Sequence, residues 1–164
     1  MPMKQKLKLE IRFFSMLLFS ILLLSCNRNK IFEEHQDLSP NLEWKKDLKI
    51  NFNPDISDID ARYNVTIAFR HAHGYAYSNL PLRVKIISPS GKVSEKHYNI
   101  EVVDDSGQYK GEGIGDIWDL DFVAEENFAF SEVGTHQFFL EHELPVDPLN
   151  MAIELGLKIE KTKE

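Results

Sequence analysis

Much of this chain alternates apolar and polar side chains with a period of two. Leu48, Ile50 and Phe52 alternate with Lys49 and Asn51, and Tyr63, Val65, Ile67 and Phe69 with Asn64, Thr66, Ala68 and Arg70. Leu80, Leu82, Val84 and Ile86 are spaced by Pro81, Arg83 and Lys85, and Tyr98, Ile100 and Val102 by Asn99 and Glu101. The same pattern closes the chain in Ile153, Leu155, Leu157 and Ile159. Successive side chains of a strand point to opposite faces, so each run predicts a strand with one buried and one wetted side. Phe128-Ala129-Phe130 and the run 135–142 add further strands. Turn residues punctuate these runs: Asn53-Pro54-Asp55, Ser88-Pro89-Ser90-Gly91, Asp104-Asp105-Ser106-Gly107 and Pro145-Val146-Asp147-Pro148. The expected fold is all-β, a single antiparallel β-sandwich of about seven to nine strands in the jelly-roll or Ig-like class. One helical turn is expected over 55–60, capped by Asp55 or Ser57. Pro81 cannot donate to a ladder and so predicts an edge strand.

The amino terminus belongs to a different physical regime. Lys4, Lys6, Lys8 and Arg12 precede an apolar stretch, 13–24, interrupted by Ser15 and Ser20. Basic n-region, short apolar core and a small residue before the cut are the parts of a secretory signal peptide. The core is too short for a membrane-spanning helix, which needs roughly 20 residues. Leu23-Leu24-Ser25-Cys26 resembles the bacterial lipobox, which implies that Cys26 is lipidated, as with palmitate, and becomes the first residue of the mature protein. The expected organisation is a lipoprotein signal peptide at 1–25, lipidated Cys26 with a polar tether at 26–45, and a β-sandwich domain at 46–161, with one short strand around Ile31. Cys26 is the only cysteine, so the domain has no disulfide and stands on its core in an oxidising compartment. Asn27-Arg28-Asn29-Lys30 carries no acidic cluster after the cysteine, and Glu33-Glu34 comes late, which reads as an outer-membrane anchor facing the periplasm.

The full chain has 19 Lys and Arg against 26 Asp and Glu, net −7. Removing the signal takes four basic residues and Glu10, leaving 15 against 25, net −10. That balance excludes nucleic acid as a partner and excludes a basic patch reading anionic lipid.

No reaction centre emerges. His71 and His73 lie two apart and, with His97 or His136, supply imidazoles, but without zinc-site spacing, so no metal is expected. The segment 104–121 offers Asp104, Asp105, Asp116, Asp119 and Asp121 among glycines without the calcium-loop pattern, and reads as a solvated connection. Gly111-Glu-Gly113-Ile-Gly115-Asp116 misplaces the third glycine of a dinucleotide fingerprint and reads as a bent strand entry. Glu125-Glu126 and Asp104-Asp105 are strand neighbours that face opposite ways, and the serines lack a nucleophile elbow. The chain is read as a non-enzyme without cofactor or small-molecule substrate. Tyr75-Ala76-Tyr77-Ser78-Asn79 beside Arg70 presents aromatic groups suited to a sugar or a protein partner, or to packing. The candidate partner surface is Arg70, Tyr75, Tyr77, Asn79, Gly111, Gly113, Gly115 and Asp116.

Several features in order then converge: the lipobox, Trp44, Tyr63-Asn64-Val-Thr-Ile-Ala-Phe69-Arg70, Tyr75-Ala-Tyr77-Ser-Asn79-Leu80, Ser88-Pro89-Ser-Gly91, 107–116, the 128–142 strand region led by Gly134, and Gly156-Leu157-Lys-Ile159. Together they resemble the gliding motility lipoprotein GldH family. The resemblance implies a membrane-anchored envelope lipoprotein required for gliding, a non-enzymatic component or assembly and stabilising factor of the gliding and type IX secretion machinery, with other envelope proteins as partners. The alternative is a sandwich that binds peptidoglycan or polysaccharide.

Overall fold

The computed structural model describes residues 29–162. Cys26 and the signal segment 1–25 lie outside the described residues. The strands are β1 (Lys30–Asp37), β2 (Glu43–Trp44), β3 (Ile50–Phe52), β4 (Asp55–Ile56), β5 (Tyr63–Ala72), β6 (Asn79–Ile87) and β7 (Val93–Glu101). They continue as β8 (Glu112–Ile114), β9 (Ile117–Phe128), β10 (Gly134–Thr135), β11 (Gln137–His142), β12 (Leu149–Asn150) and β13 (Ala152–Lys161). One sheet runs β1-β13-β5-β9-β8 and the other β3-β11-β6-β7, all antiparallel, with two short pairs, β10-β4 and β12-β2. The chain is an antiparallel sandwich whose two main sheets hold nine strands.

The alternating runs land as their period requires. β5 turns Tyr63, Val65, Ile67, Phe69 and His71 inward; β6 turns in Leu80, Leu82, Val84 and Ile86. Phe52, Phe138, Leu140, Leu155, Leu157 and Ile159 complete one continuous core. A register shift between Ala152 and Glu154 buries Ala152 and leaves Ile153 half-buried at the start of β13.

Both long sides of the sandwich are closed by polar side chains. On one, Gln36 of β1 donates Nε2 to the Asn51 carbonyl of β3 at 2.5 Å. On the other, the Glu125 carboxylate of β9 accepts from Lys96 Nζ and from the Tyr98 hydroxyl of β7, each at 2.6 Å.

Four expectations change. Lys30–Asp37, read as tether with one short strand around Ile31, is an eight-residue strand paired along β13. Its half-polar sequence hid it, because an edge strand buries little. The 55–60 segment forms no helical turn: Ile56 is fully buried and pairs with Gly134, and Asp58 Oδ1 instead accepts the main-chain N–H groups of Asp60 and Ala61. Pro81 lies on β6, between β11 and β7, and not at an edge. The β11 ladder has ended at His142, and the Pro81 carbonyl takes the Glu143 N–H at 2.9 Å, so the missing donor falls where no strand needs it. The acidic segment 104–121, read as a solvated connection, is largely exposed but contains β8 and the start of β9, the longest strand described, at 12 residues. Trp118, Leu120 and Phe122 alternate there, and the aspartates between them occupy the wetted face.

Strand direction fixes two ends. Lys30, Tyr63, Phe128 and Lys161 gather at one, the tether end; Asp37, Ala72, Ile117 and the β8–β9 turn gather at the other, the far end. Replacing Glu125 with alanine leaves the Tyr98 hydroxyl and the half-buried Lys96 ammonium without their acceptor, and is expected to cost about 1–3 kcal/mol in a urea melt at neutral pH. Burial opposes ionisation of Glu125, but the Lys96 and Tyr98 hydrogen bonds outweigh it and hold its carboxyl below the usual glutamate value. The loss should therefore be present above the ordinary carboxylate range and shrink as pH falls through it.

Candidate functional site

The far end is organised around rings. β5 delivers Phe69 and His71 inward, and the chain then turns through Gly74, at φ +96°, into Tyr75 and Tyr77. His71 lies 4.8 Å from Tyr109, 5.3 Å from Tyr75 and 5.5 Å, stacked, from Phe69, between ring centroids. Tyr109 continues the cluster to Trp118 at 5.3 Å and to His73 at 5.6 Å. Its hydroxyl accepts the Gly74 N–H at 2.8 Å and donates to the Tyr75 carbonyl at 3.2 Å. The His73 N–H meets the Asp116 carbonyl at 2.7 Å and binds the end of β5 to the β8–β9 turn. His71 Nε2, the Tyr75 hydroxyl and Trp118 Nε1 are buried without a protein partner. Burial pushes the His71 imidazole below its usual value, with the Ala72 carbonyl and then Asp119 opposing, and pushes the Tyr75 hydroxyl up.

The expected partner residues all come to this end, in different environments. Tyr75 is 3% exposed and edge-on to Phe69, so it is a core residue and not a surface platform. Tyr77 is half-buried against it, and Asn79 starts β6, half-buried opposite Glu101. Arg70 lies on the outer face, its guanidinium on both Asp119 carboxylate oxygens at 2.6 and 3.2 Å and on Glu154 at 3.5 Å. Gly111, at φ +92°, lets the chain pass the Asp119 carbonyl, which an added Cβ would meet at 2.1 Å. Gly113 lets the Trp118 ring lie across β8. Gly115 and Asp116 form the turn, where nothing stands within 4 Å of a Gly115 Cβ. Beyond the cluster, Ile114 is 84% and Ile117 44% exposed, beside exposed Glu112, Asp116 and Asp119. Ile114 and Ile117 escaped the sequence reading, although two isoleucines flanking Gly115-Asp116 is a hairpin signature with its apolar side outward.

Catalytic and metal chemistry find little here. Asp104 spends its carboxylate on the Ser106 and Gln108 N–H groups and the Ser106 hydroxyl, which hold it below the usual range. His71 is interior, His97 is on the opposite sheet with Glu95 and Glu143, and His136 packs on Phe130. Among the described residues no three His, Cys, Asp or Glu side chains are placed to hold a metal ion. A cleft of 250 Å³ beside Trp44 and buried His142 is lined by Arg83, Glu141 and Glu143, but Arg83 is paired with Glu141 and Glu95 and Glu143 with His97.

The fold defines an antiparallel β-sandwich whose far end is capped by an exposed apolar hairpin. The chain belongs to the GldH lipoprotein family, whose sequence model matches residues 30–159. A gliding motility lipoprotein GldH homolog of Christiangramia forsetii is 28% identical over 98% of this chain and 99% of its own length. The gliding motility lipoprotein GldH of Flavobacterium johnsoniae is 28% identical over 89% of this chain and 94% of its own. Among solved structures, a family GH115 4-O-methyl-alpha-glucuronidase with specificity for decorated arabinogalactans overlays 85% of this chain and 18% of its own at 10% identity, with a TM-score of 0.41, too distant to bear on function. The protein is a membrane-anchored lipoprotein of the cell envelope, a gliding motility lipoprotein, from a family not known for enzymes.

Two outcomes check this description of the far end. Gly111→Ala is expected to lower stability by at least about 2 kcal/mol, since strain and the Asp119 carbonyl both oppose it, whereas Gly115→Ala, strained in φ alone, costs about 1 kcal/mol in the same melt. His71 is buried neutral, so the unfolded chain takes its proton first as pH falls below 6.5. Stability is complete above that pH and declines below it, and His71→Phe should flatten the decline of Tm between pH 6.5 and 5. His142 keeps the same sign and His97, raised by Glu143 and Glu95 but fully exposed, the opposite one.

Proposed function

We propose that the protein is a non-enzymatic assembly or stabilising component of the gliding and type IX secretion machinery, held by its lipid in the outer membrane and facing the periplasm. The observation that carries this is the β8–β9 tip. Ile114 and Ile117 stand exposed on a hairpin that is itself fixed by the Tyr109–Trp118 cluster and the His73–Asp116 hydrogen bond. A rigid apolar tip ringed by Glu112, Asp116 and Asp119 fits an apolar socket with basic side chains at its rim, on another envelope protein. The lipid anchor raises local concentration, so modest affinity suffices.

The glycan-binding alternative needs an aromatic platform. Tyr75 is buried, Trp118 lies down on Gly113 with its indole nitrogen enclosed, and the tip is aliphatic, all of which weigh against it.

Ile114→Glu places a charge at the tip without touching the core. At normal protein level it should reduce colony spreading several-fold, and a photo-cross-linker at Ile114 should capture a gliding or secretion protein that the same linker at Lys85, on the opposite sheet, does not. Normal spreading by Ile114→Glu would remove the tip as the docking surface.

A further inference from the structure

The tether end carries a second feature. Cys26 and Lys30, the first residue of β1, are four residues apart, and a fully extended chain spans at most about 14 Å over that distance. The first strand is paired along β13, so no slack follows it. Whichever loops surround the start of β1 are therefore held close to any membrane that receives the Cys26 lipid.

Those loops form one hydrogen-bonded rim. Lys161 N–H meets the Asn29 carbonyl at 2.7 Å, and Thr162 N–H meets the Arg62 carbonyl at 2.8 Å. Lys161 Nζ reaches Asp58 at 2.8 Å, and the Tyr63 hydroxyl donates to the Asp58 carbonyl at 2.6 Å, which fixes the 57–62 loop. Ile56 pairs with Gly134, and Glu132 accepts from the Ser88 hydroxyl and the Ser90 N–H, each at 2.9 Å, joining the 131–134 loop to the 88–92 turn. On this rim three large apolar side chains stand exposed: Ile59 at 41%, Val93 at 54% and Val133 at 57%. They are half of the six exposed large apolar side chains among the described residues, and two of the others form the far tip. The charges there are mixed: Lys30 pairs with Glu33 and Lys161 with Asp58, Glu132 is held by Ser88 and Ser90, and Arg62, Lys92, Asp60 and Glu126 belong to the same end.

We propose that this rim rests on the membrane, with Ile59, Val93 and Val133 entering the headgroup layer of the leaflet that holds the lipid, so that the sandwich stands upright with the β8–β9 tip pointing away. The occupant is a lipid surface because the four-residue link leaves no room for a protein between rim and membrane. Single apolar residues at the surface are ordinary; three on the face that the anchor presses down are matched to an apolar interface. A mature net charge of −10 gives no net attraction to anionic lipid, so salt, which screens charge of either sign, should not weaken the contact.

The inference rests on Cys26 as the lipidated residue, and the test separates the two. Full-length lipidated protein is reconstituted into phosphatidylethanolamine–phosphatidylglycerol vesicles, with wild type and Cys26→Ala compared by flotation. Ile59→Cys, Val93→Cys, Val133→Cys and, as the far-end control, Ile114→Cys are then labelled with an environment-sensitive fluorophore, acylated Cys26 being unreactive. Expected are a blue shift and quenching by spin-labelled lipid at positions 59, 93 and 133, not weakened in high salt, with Ile114→Cys quenched only from water. Flotation of wild type with all four labels equally open to an aqueous quencher would overturn the upright orientation and leave the anchor standing. Equal flotation of wild type and Cys26→Ala would overturn the anchor, and the orientation with it.

Discussion

Strand β5 is the member on which the rest of the structure hangs. It lies between β13 and β9 and turns five consecutive alternate side chains inward, from Tyr63 to His71, none more than 5% exposed. Full burial of such side chains is worth about 1.5–3 kcal/mol each, and with no disulfide available this apolar ladder replaces one. A slip of one residue would drive Asn64 and Arg70 into the core, so the register has a single solution. The same strand reaches both ends of the molecule. Its first residue fixes the 57–62 loop through the Tyr63 hydroxyl, and its last inward residue, His71, seats the aromatic cluster.

The sandwich is closed by polar contacts where its apolar contacts run out. β9 is covered by β8 only as far as Asp119, so most of its length is a free edge. Glu125 ties that edge to β7 across the gap between sheets, and Gln36 does the same between β1 and β3. The Glu125 bonds have a charged member and are stronger than the neutral Gln36 bond, and both stand where a further hydrophobic pair would have been half wet. Outward acids on β9, among them Asp121 and Glu126, keep the open edge from pairing with another chain.

What the sequence made legible followed from period two. β5, β6, β13 and the second half of β7 announce themselves because one face is apolar over several alternate positions, and the all-β sandwich follows from them. β1 and the start of β9 do not, for opposite reasons. β1 is an edge strand with a largely wetted inner face, so Glu34 and Gln36 occupy positions that alternation reserves for apolar residues. β9 does alternate, but its outward aspartates and the preceding glycines give the segment the composition of a loop. The far-end residues were located by their sequence neighbourhood, yet their depths were not, because Tyr75 and Tyr77 look alike until Gly74 turns the chain and places one inside. Pro81 shows the same limit: a missing donor matters only where a neighbour strand is present, and strand ends are not written in the local sequence.

The geometry makes a demand on any partner that binds the tip. β5 has ten residues at about 3.3 Å each, so tip and rim are separated by about 33 Å. With the rim on the membrane, the tip is presented at that height and tilts little, because three separated apolar contacts and a short tether oppose rotation. A long flexible tether would instead let the tip sample every height, and its effective concentration at any one socket would fall roughly as the −3/2 power of tether length. On the proposed Cys26 anchor, holding β1 within four residues of it exchanges reach for alignment. A module built this way suits a partner fixed in or on the same membrane, whose socket lies at one height, better than a freely diffusing ligand, for which orientation brings no gain.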